Sequence, residues 1–468
     1  MFDAVVERFL GRSPLTVMAR LVLERACDAG WVDGLFEEAR ERQYQRELLF
    51  SEVVDRMGLV VLGLRPSLHA ALQREPVGVS VQAFYKKVAH SEPGVLRALV
   101  QGSHARLSPL RQAVDALRPA GSARVPLCEG YRVRVVDTND LPASDKRLKP
   151  LRGFAGAALP GQSLVVYAPE EDLVRDVLPW ADAHDQETGL LHHLLQTLES
   201  DELWLADRAF SSRPILRAFA ARGALCLIRE QSSRPVPQQE GALRRVGRIE
   251  TGEVYEQPVC IPDDAQPDGL LHLRRIELRL REPTEDGDTC LRLLTNVPAR
   301  RKRATTLARL YQKRWTVEAL FGRLEAALHS ELRGLGQPHA ALLAFCTALL
   351  AYNVLSVLMA AVEAAHADVV QQQPLSSFYV AAELREYYGG LKAAVAPEAW
   401  QPYATQSPQA LAATLVGMAH RVNPAHLKKH PRAPKPKRKK RRVPHAQYLR
   451  QVATSRVMAA GTVDYVHR

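Results

Sequence analysis

The sequence predicts an α/β protein whose three-layer core is interrupted by a β-rich insertion, with an all-helical N-terminal domain and a helical, basic C-terminal region. Residues 13–120 repeat apolar side chains at helical spacing, and residues 130–230 alternate β-branched runs with helical runs. Such alternation is typical of helices that cover both faces of a sheet. The pattern of residues 231–298 predicts strands joined by turns. We expect a helical N-terminal domain at 1–125, the first part of the core at 126–230, the β-rich insertion at 231–298, the last part of the core at 299–370 and the C-terminal region at 371–468.

The N-terminal segment contains clear helix-start signals. Ser13 precedes Pro14, which is the pattern of an N-cap followed by proline in the first turn. Residues 67–101 predict three short helices, 67–75, 80–90 and 93–101, with a glycine-containing turn between the first two. This arrangement is compatible with a helix-turn-helix that reads DNA, in which Lys86 and Lys87 would contact the duplex. Any small helical bundle has the same pattern.

Two strands of the predicted core end in aspartates. The run YRVRVVDTNDL predicts a strand that ends at Asp137, and SLVVYAPEEDLVRDVLPW predicts two more strands. A helix over residues 187–198 and a short strand, Leu203 to Ala206, follow, and Asp207 ends that strand. The next run predicts a helix, a turn at Gly223 and another strand.

After the insertion, LYQKRWTVEALFGRLEAAL (residues 310–328) predicts one amphipathic helix. Its spacing places Tyr311, Arg314 and Glu318 near one face, beside an apolar surface. Residues 340–362 are apolar enough to span a membrane. Because they include Thr347, Asn353 and Ser356 in a chain with no second such segment, we expect a buried core helix and no membrane association.

The positive charge of the chain is concentrated near its C-terminus. The net charge is +12, yet residues 428–442 hold ten Lys or Arg and no acid, so the rest carries only about +2. This basic tract, with its prolines, predicts a disordered arm that neutralises DNA phosphates, or else a solvated tail. The six cysteines are scattered without metal-ligand spacing, which favours a reducing cytoplasm.

Asp137, Asp207 and Glu318 together predict a metal site. Side chains at strand ends reach the crevice where α/β proteins bind ligands. Three carboxylates in one crevice repel each other unless cations lie between them, and carboxylate oxygens suit Mg²⁺ or Mn²⁺. Two such ions, about 4 Å apart, would activate an attacking oxygen and stabilise a leaving one. As alternatives, Asp137 is a turn residue with Asp140 as the ligand, and Asp207 is a helix N-cap with Asp201 as its rival.

These motifs resemble the DDE transposases of the insertion-sequence-four family, which have an RNase H-like catalytic core. The resemblance rests on the strand ending at Asp137, on ADRAF around Asp207, on LLTNVP at residues 293–298, and on the spacing of Tyr311, Arg314 and Glu318. It implies that the two aspartates and Glu318 are catalytic and hold two Mg²⁺ or Mn²⁺ ions. The family signature continues from the Glu through six residues to a lysine, a position where this chain has Glu325, as in a subgroup lacking that lysine.

The resemblance implies cut-and-paste transposition: strand cleavage at the element ends, then transfer of the 3′-hydroxyl into target DNA. The partners would be double-stranded terminal inverted repeats and target DNA, bound by a homodimer or a larger assembly in the bacterial cytoplasm, at the nucleoid. Two alternatives are a silent DNA-binding descendant and an RNase H-like nuclease with another substrate. Arg208 is either a phosphate contact or a surface residue. The predicted DNA contacts are Tyr311, Arg314, Arg208, Lys86, Lys87, Lys435, Lys437, Arg438, Lys439, Lys440, Arg441 and Arg442.

Overall fold

A ten-stranded mixed sheet forms the centre of the protein in the computed structural model, which describes residues 4–152, 156–184, 193–231, 235–263, 265–284, 287–430 and 451–460. The strands are β1 (Arg132–Asp140), β2 (Ala157–Leu159), β3 (Gln162–Ala168), β4 (Leu173–Trp180), β5 (Glu202–Ala206), β6 (Leu225–Arg229), β7 (Gln238–Gln239), β8 (Arg244–Ile249), β9 (Gly252–Pro262), β10 (Leu270–Leu280), β11 (Cys290–Thr295) and β12 (Gln451–Ala453).

The strand order is β4-β3-β1-β5-β6-β11-β10-β9-β7, with β8 paired to β9, and β2 pairs separately with β12. Strands β1, β5 and β6 are parallel, whereas the other pairs of the large sheet are antiparallel. The predicted insertion is β-rich, but it is not a separate layer. Because β11 pairs with β6, the strands after residue 231 extend the central sheet and satisfy the open backbone groups of β6.

The helices are α1 (Ala4–Arg12), α2 (Pro14–Cys27), α3 (Ala29–Ala39), α4 (Phe50–Val61), α5 (Leu68–Arg74), α6 (Val81–Ala89), α7 (Pro93–Ala116), α8 (Arg213–Ala221), α9 (Ala304–Tyr311), α10 (Thr316–Ala327), α11 (Pro338–Ala365), α12 (Ala367–Gln372), α13 (Ser377–Ala394), α14 (Gln401–Ala404), α15 (Pro408–Ala419) and α16 (Thr454–Ala459). Short 3-10 helices cover Lys149–Leu151, Arg208–Phe210, Gln312–Trp315, Pro397–Ala399 and Pro424–Leu427.

Helices cover both faces of the sheet. Val133 and Val135 of β1 belong to the large core that includes helices α10 and α11, whereas Val136 faces a second core closed by Ile215 and Phe219 of α8. The alternation of side chains along β1 therefore divides the interior into two apolar layers. Helices α1 to α7 contribute to the first of these cores, so the predicted boundary at residue 125 does not separate two cores.

Several predicted elements differ from the structure in their limits. Strand β1 continues three residues past Asp137, because its pairing with β3 extends to Asp140. The single helix predicted over residues 310–328 is divided into α9 and α10 by the 3-10 turn Gln312–Trp315. The last of the three predicted N-terminal helices extends to Ala116. Ser13 does cap α2, accepting from the backbone N–H of Thr16. Residues 187–192 of the helix predicted at 187–198, which are half of it, lie outside the described residues.

Helix α11 crosses the middle of the fold. Within the described ranges it is the one helix long and apolar enough to cross a membrane, and 94% of its most apolar window is buried inside the protein. It packs against α2, α4, α7 and α15 and against strand β4. This burial is that of a core helix.

Candidate active site

Asp137 of β1 lies close to Asp207, which directly follows the adjacent parallel strand β5. The last paired residues of β1 and β5 are Val135 and Leu205. The same register, continued by two residues, sets Asp137 beside Asp207, on strands whose usual spacing is about 4.8 Å. The sheet therefore brings together two carboxyl groups that are far apart in the sequence.

The two alternative aspartates lie elsewhere. Asp137 shares the sheet face of Val133 and Val135, the face on which α10 packs, whereas Asp140 has the opposite parity. Asp201 lies at the other end of β5, where both of its carboxylate oxygens are 2.7 Å from the guanidinium of Arg132. Asp140 therefore does not lie at the position of Asp137, and Asp201 does not lie at the position of Asp207.

Glu318 reaches the same place through Arg314. The guanidinium of Arg314 donates to Asp137 Oδ2 at 2.9 Å and to Glu318 Oε1 at 2.8 Å. Arg314 is largely buried, while the Glu318 side chain is 56% exposed. One arginine thus links the strand-borne acid to the helix-borne acid, and it lies where a cation between the carboxylates would lie.

Burial and neighbouring charge perturb Asp137. Burial raises the pKa of its carboxyl, the Arg314 guanidinium opposes that rise, and the nearby carboxylates of Asp207 and Glu318 raise it further, to about 6. The negative charge on Asp137 is therefore only partly compensated by Arg314.

Asp207 also has a local structural role. Its Oδ1 accepts from the backbone N–H of Ala209 at 2.8 Å and caps the 3-10 turn Arg208–Phe210. The interpretation of Asp207 as an N-cap is correct as geometry. It does not conflict with a role as a ligand, because Oδ2 makes no hydrogen bond with any described residue and a cap uses only one oxygen.

Tyr311 makes a different contact from the one predicted. Its hydroxyl donates to the Ala206 carbonyl at 3.2 Å, and the ring is buried, so the residue joins the end of α9 to the end of β5. Burial raises the pKa of this phenol. We predicted a phosphate contact through the hydroxyl, but this structure shows a positioning contact, because a buried hydroxyl must satisfy its hydrogen bond within the protein.

The other predicted DNA contacts are dispersed. Arg208 is exposed, directly after Asp207, and Lys86 is exposed on α6. Lys87 is not free for DNA: its ammonium donates to the Tyr44 carbonyl at 2.5 Å and lies 4.3 Å from the centre of the Phe36 ring. The basic-tract residues from 435 to 442 lie outside the described residues.

Arg229 was missed by the sequence analysis. It ends β6, whose register with β5 pairs Ala206 with Ile228 and so sets Arg229 next to Asp207. The Arg229 guanidinium donates a hydrogen bond to Asp288 Oδ2 at 2.8 Å. The sequence pattern does not identify this arginine. Its position next to the two aspartates follows from the register of the three parallel strands β1, β5 and β6.

A second missed feature anchors the helix that carries Glu318. Arg323 of α10 donates to Asp172 at 3.1 Å and to the Tyr167 hydroxyl at 3.3 Å, and its guanidinium lies 5.1 Å from the centre of the Tyr352 ring. Asp172 lies between β3 and β4 at φ 54, a conformation that Asp and Asn tolerate better than most residues. This cluster ties α10 to the sheet.

Within the described ranges, no group of three or more His, Cys, Asp or Glu side chains is arranged to hold one metal ion. At this site Arg314 forms ion pairs with both Asp137 and Glu318. The donors themselves fit a hard divalent ion, since all are carboxylate oxygens and the charge on Asp137 is under-compensated. Binding of such an ion requires Arg314 to leave these carboxylates.

Residues 129–354 match the family model described as the Transposase DDE domain. No curated protein matches the chain. The matched segment includes Asp137, Asp207 and Glu318. This segment is therefore similar to a transposase DDE domain, and the match covers slightly less than half of the chain.

Proposed function

We propose that this chain is a transposase of the insertion-sequence-four kind that cleaves DNA strands at element ends and joins them to target DNA. The observation that carries the proposal is the register of β1 and β5, which aligns Asp137 with Asp207 beneath the helix that bears Glu318. The antiparallel strands β4, β3 and β1, continued by parallel β5 and β6, support an RNase H-like core.

In the proposed mechanism, Asp137 and Asp207 would hold a divalent metal ion from the sheet, and Glu318 would complete the site from α10. Divalent ions bound there would activate the attacking water or 3′-hydroxyl and stabilise the leaving oxygen. Arg314, once released from the carboxylates, presents a planar guanidinium that binds a phosphate through two parallel hydrogen bonds. The exposed Arg208, directly after Asp207, would add positive charge for the same backbone, whereas the Arg229 guanidinium is paired with Asp288.

Tyr311 and the Arg323 cluster act on the position of the helices. The Tyr311 hydroxyl fixes the end of α9 on the strand that carries Asp207. Arg323 fixes α10 five residues beyond Glu318. Glu325, at the position of the family lysine, is exposed on α10, so this chain has no positive charge there.

The test is strand cleavage of duplexes that carry the inverted repeats bordering the gene, with Mg²⁺ and with EDTA. We expect nicking by the wild type that needs Mg²⁺ and is lost in Asp207→Ala. The matched control is Asp201→Ala, which removes an aspartate from the opposite end of the same strand and should retain cleavage. Equal nicking by the wild type and by Asp207→Ala would show that the proposed chemistry is wrong.

Binding distinguishes the two alternative functions. A silent descendant would bind repeat ends and cleave nothing under any metal condition. A nuclease with another substrate would cleave, but it would show no preference for repeat ends over random duplex in competition at a stated salt concentration.

A further inference from the structure

A second basic feature flanks α9, the helix whose last residue, Tyr311, contacts the end of β5 next to Asp207. Between Asp288 and Glu318 the chain contains no acidic residue, and Arg300, Arg301, Lys302, Arg303 and Lys313 fall within that stretch. We call these five side chains the α9 ridge, since four precede α9 and the fifth follows it. All are exposed except Lys302, which is half-buried.

The charge of the α9 ridge is not neutralised by the fold. In the part of the chain that the structure describes, none of its five side chains forms an ion pair. Arg301 donates to the Tyr131 hydroxyl at 3.2 Å, and Lys302 lies 5.9 Å from the centre of the same ring, so these contacts leave both charges in place. By contrast, Arg309, on α9 itself, is paired with Glu250.

Helix stability does not explain four cations at this position. The N-terminus of a helix carries partial positive charge and favours acidic side chains, so Arg300 to Arg303 lie at the unfavourable end of α9. Arg303, at the N-cap position, makes no capping hydrogen bond with its side chain. An anionic partner would offset both the repulsion among these cations and the helix dipole.

The α9 ridge leads into the candidate active site. Helix α9 has eight residues, a rise of about 12 Å, and Arg314 follows Lys313 directly. Duplex DNA carries one phosphate charge per about 1.7 Å of its axis, which is about seven charges over the same length. The five cations lie at the two ends of this helix, and their number is comparable to the portion of those phosphates that can face the protein.

We infer that the α9 ridge binds the phosphate backbone of duplex DNA next to the strand that enters the active site. The inference rests on the proposed function, since it takes DNA as the partner. Its contacts are with phosphates, so it contributes affinity without reading the base sequence. It is distinct in sequence from the basic tract of residues 428–442.

The experiment compares the salt dependence of DNA binding by matched double variants of the full chain. Fluorescence anisotropy of a random 30-base-pair duplex is measured in EDTA, so that cleavage does not contribute. Arg300→Gln with Arg303→Gln should reduce the slope of log affinity against log salt by about 1.8, since each phosphate contact contributes about 0.9. At 0.1 M salt the affinity should fall by up to about 60-fold.

The matched control is Arg8→Gln with Arg12→Gln, which removes two exposed arginines from α1 and should leave the slope unchanged. Circular dichroism melting checks that both double variants remain folded. A slope in the ridge variant equal to that of the wild type would overturn the inference. This outcome is independent of the cleavage test, because a chain that binds through the α9 ridge but cleaves nothing would refute the proposed chemistry alone.

Discussion

Asp137 is a mostly buried carboxyl with two carboxylates as neighbours and one arginine as its direct partner. In the metal-free protein its charge is therefore a cost to folding. The pKa rises from the ordinary 3.8 to about 6 on folding, so the cost is absent below pH 4 and complete above pH 6. A cation bound next to Asp137 would reduce this free-energy cost, so the site favours binding one.

Asp137→Asn should stabilise the metal-free protein at pH 7.5 by about 3 kcal/mol, since two pKa units correspond to about 2.7 kcal/mol. The amide resembles the protonated carboxyl that the folded state prefers. The measurement is urea unfolding in EDTA at several pH values. The gain should fall below about 1 kcal/mol near pH 4 and vanish toward about pH 3, where the wild-type carboxyl is largely protonated in both states. A constant gain over pH 4 to 7.5 would contradict the assigned cause.

At this scale the sequence predicts some features and not others. Asp137 and Asp207 could be identified because each follows a β-branched run, and a strand end is a local signal. The partners of Tyr311 and Arg314 could not, since helical spacing shows which side chains share a face but not what that face meets. Arg229 depends on the register of β6 with β5, which no local pattern records.

At the scale of elements, an electrostatic cluster around Arg323 joins α10 to its neighbours. Burial acts to raise the pKa of Asp172, but Arg323 and the hydroxyls of Tyr167 and Tyr352 outweigh it and lower that pKa. These contacts join α10 to β3 and to α11, at a point five residues from Glu318. The sequence did not predict the break at residues 312–315 either, because the apolar spacing continues through it.

Arg323→Met should destabilise the fold by about 2 kcal/mol, because Asp172 loses its cation while the remaining exposure screens part of the loss. It should also speed amide hydrogen exchange in α10 more than in α11 and reduce Mg²⁺-dependent cleavage. Arg309→Met is the control, since its pair with Glu250 is exposed and therefore screened by solvent. Exchange in α10 unchanged from wild type would show that Arg323 does not position the helix.

At the scale of the whole molecule, α11 connects the N-terminal helices to the sheet. Its Asn353 is fully buried, and the side-chain amide bonds both backbone groups of Val174 on the edge strand β4, at 2.7 and 2.9 Å. A β-bulge at Val166/Tyr167 shifts the pairing of β3 with β4 directly beside Val174. The polar residue in an apolar helix is thus explained by the sheet it meets, which the sequence alone does not reveal.

Asn353→Leu should therefore destabilise the protein by about 2–5 kcal/mol, because two buried backbone groups of β4 lose their partners at about 1–3 kcal/mol each. Thr347→Val is the matched control: Thr347 is also buried in α11, but its hydroxyl bonds only the Leu343 carbonyl of its own helix, so the loss should stay within about 1 kcal/mol. Chemical denaturation of both variants gives the comparison. Equal losses in stability would mean that α11 is joined to the sheet by apolar packing alone. A selective loss in Asn353→Leu would identify this amide as a polar link between α11 and strand β4 of the central sheet.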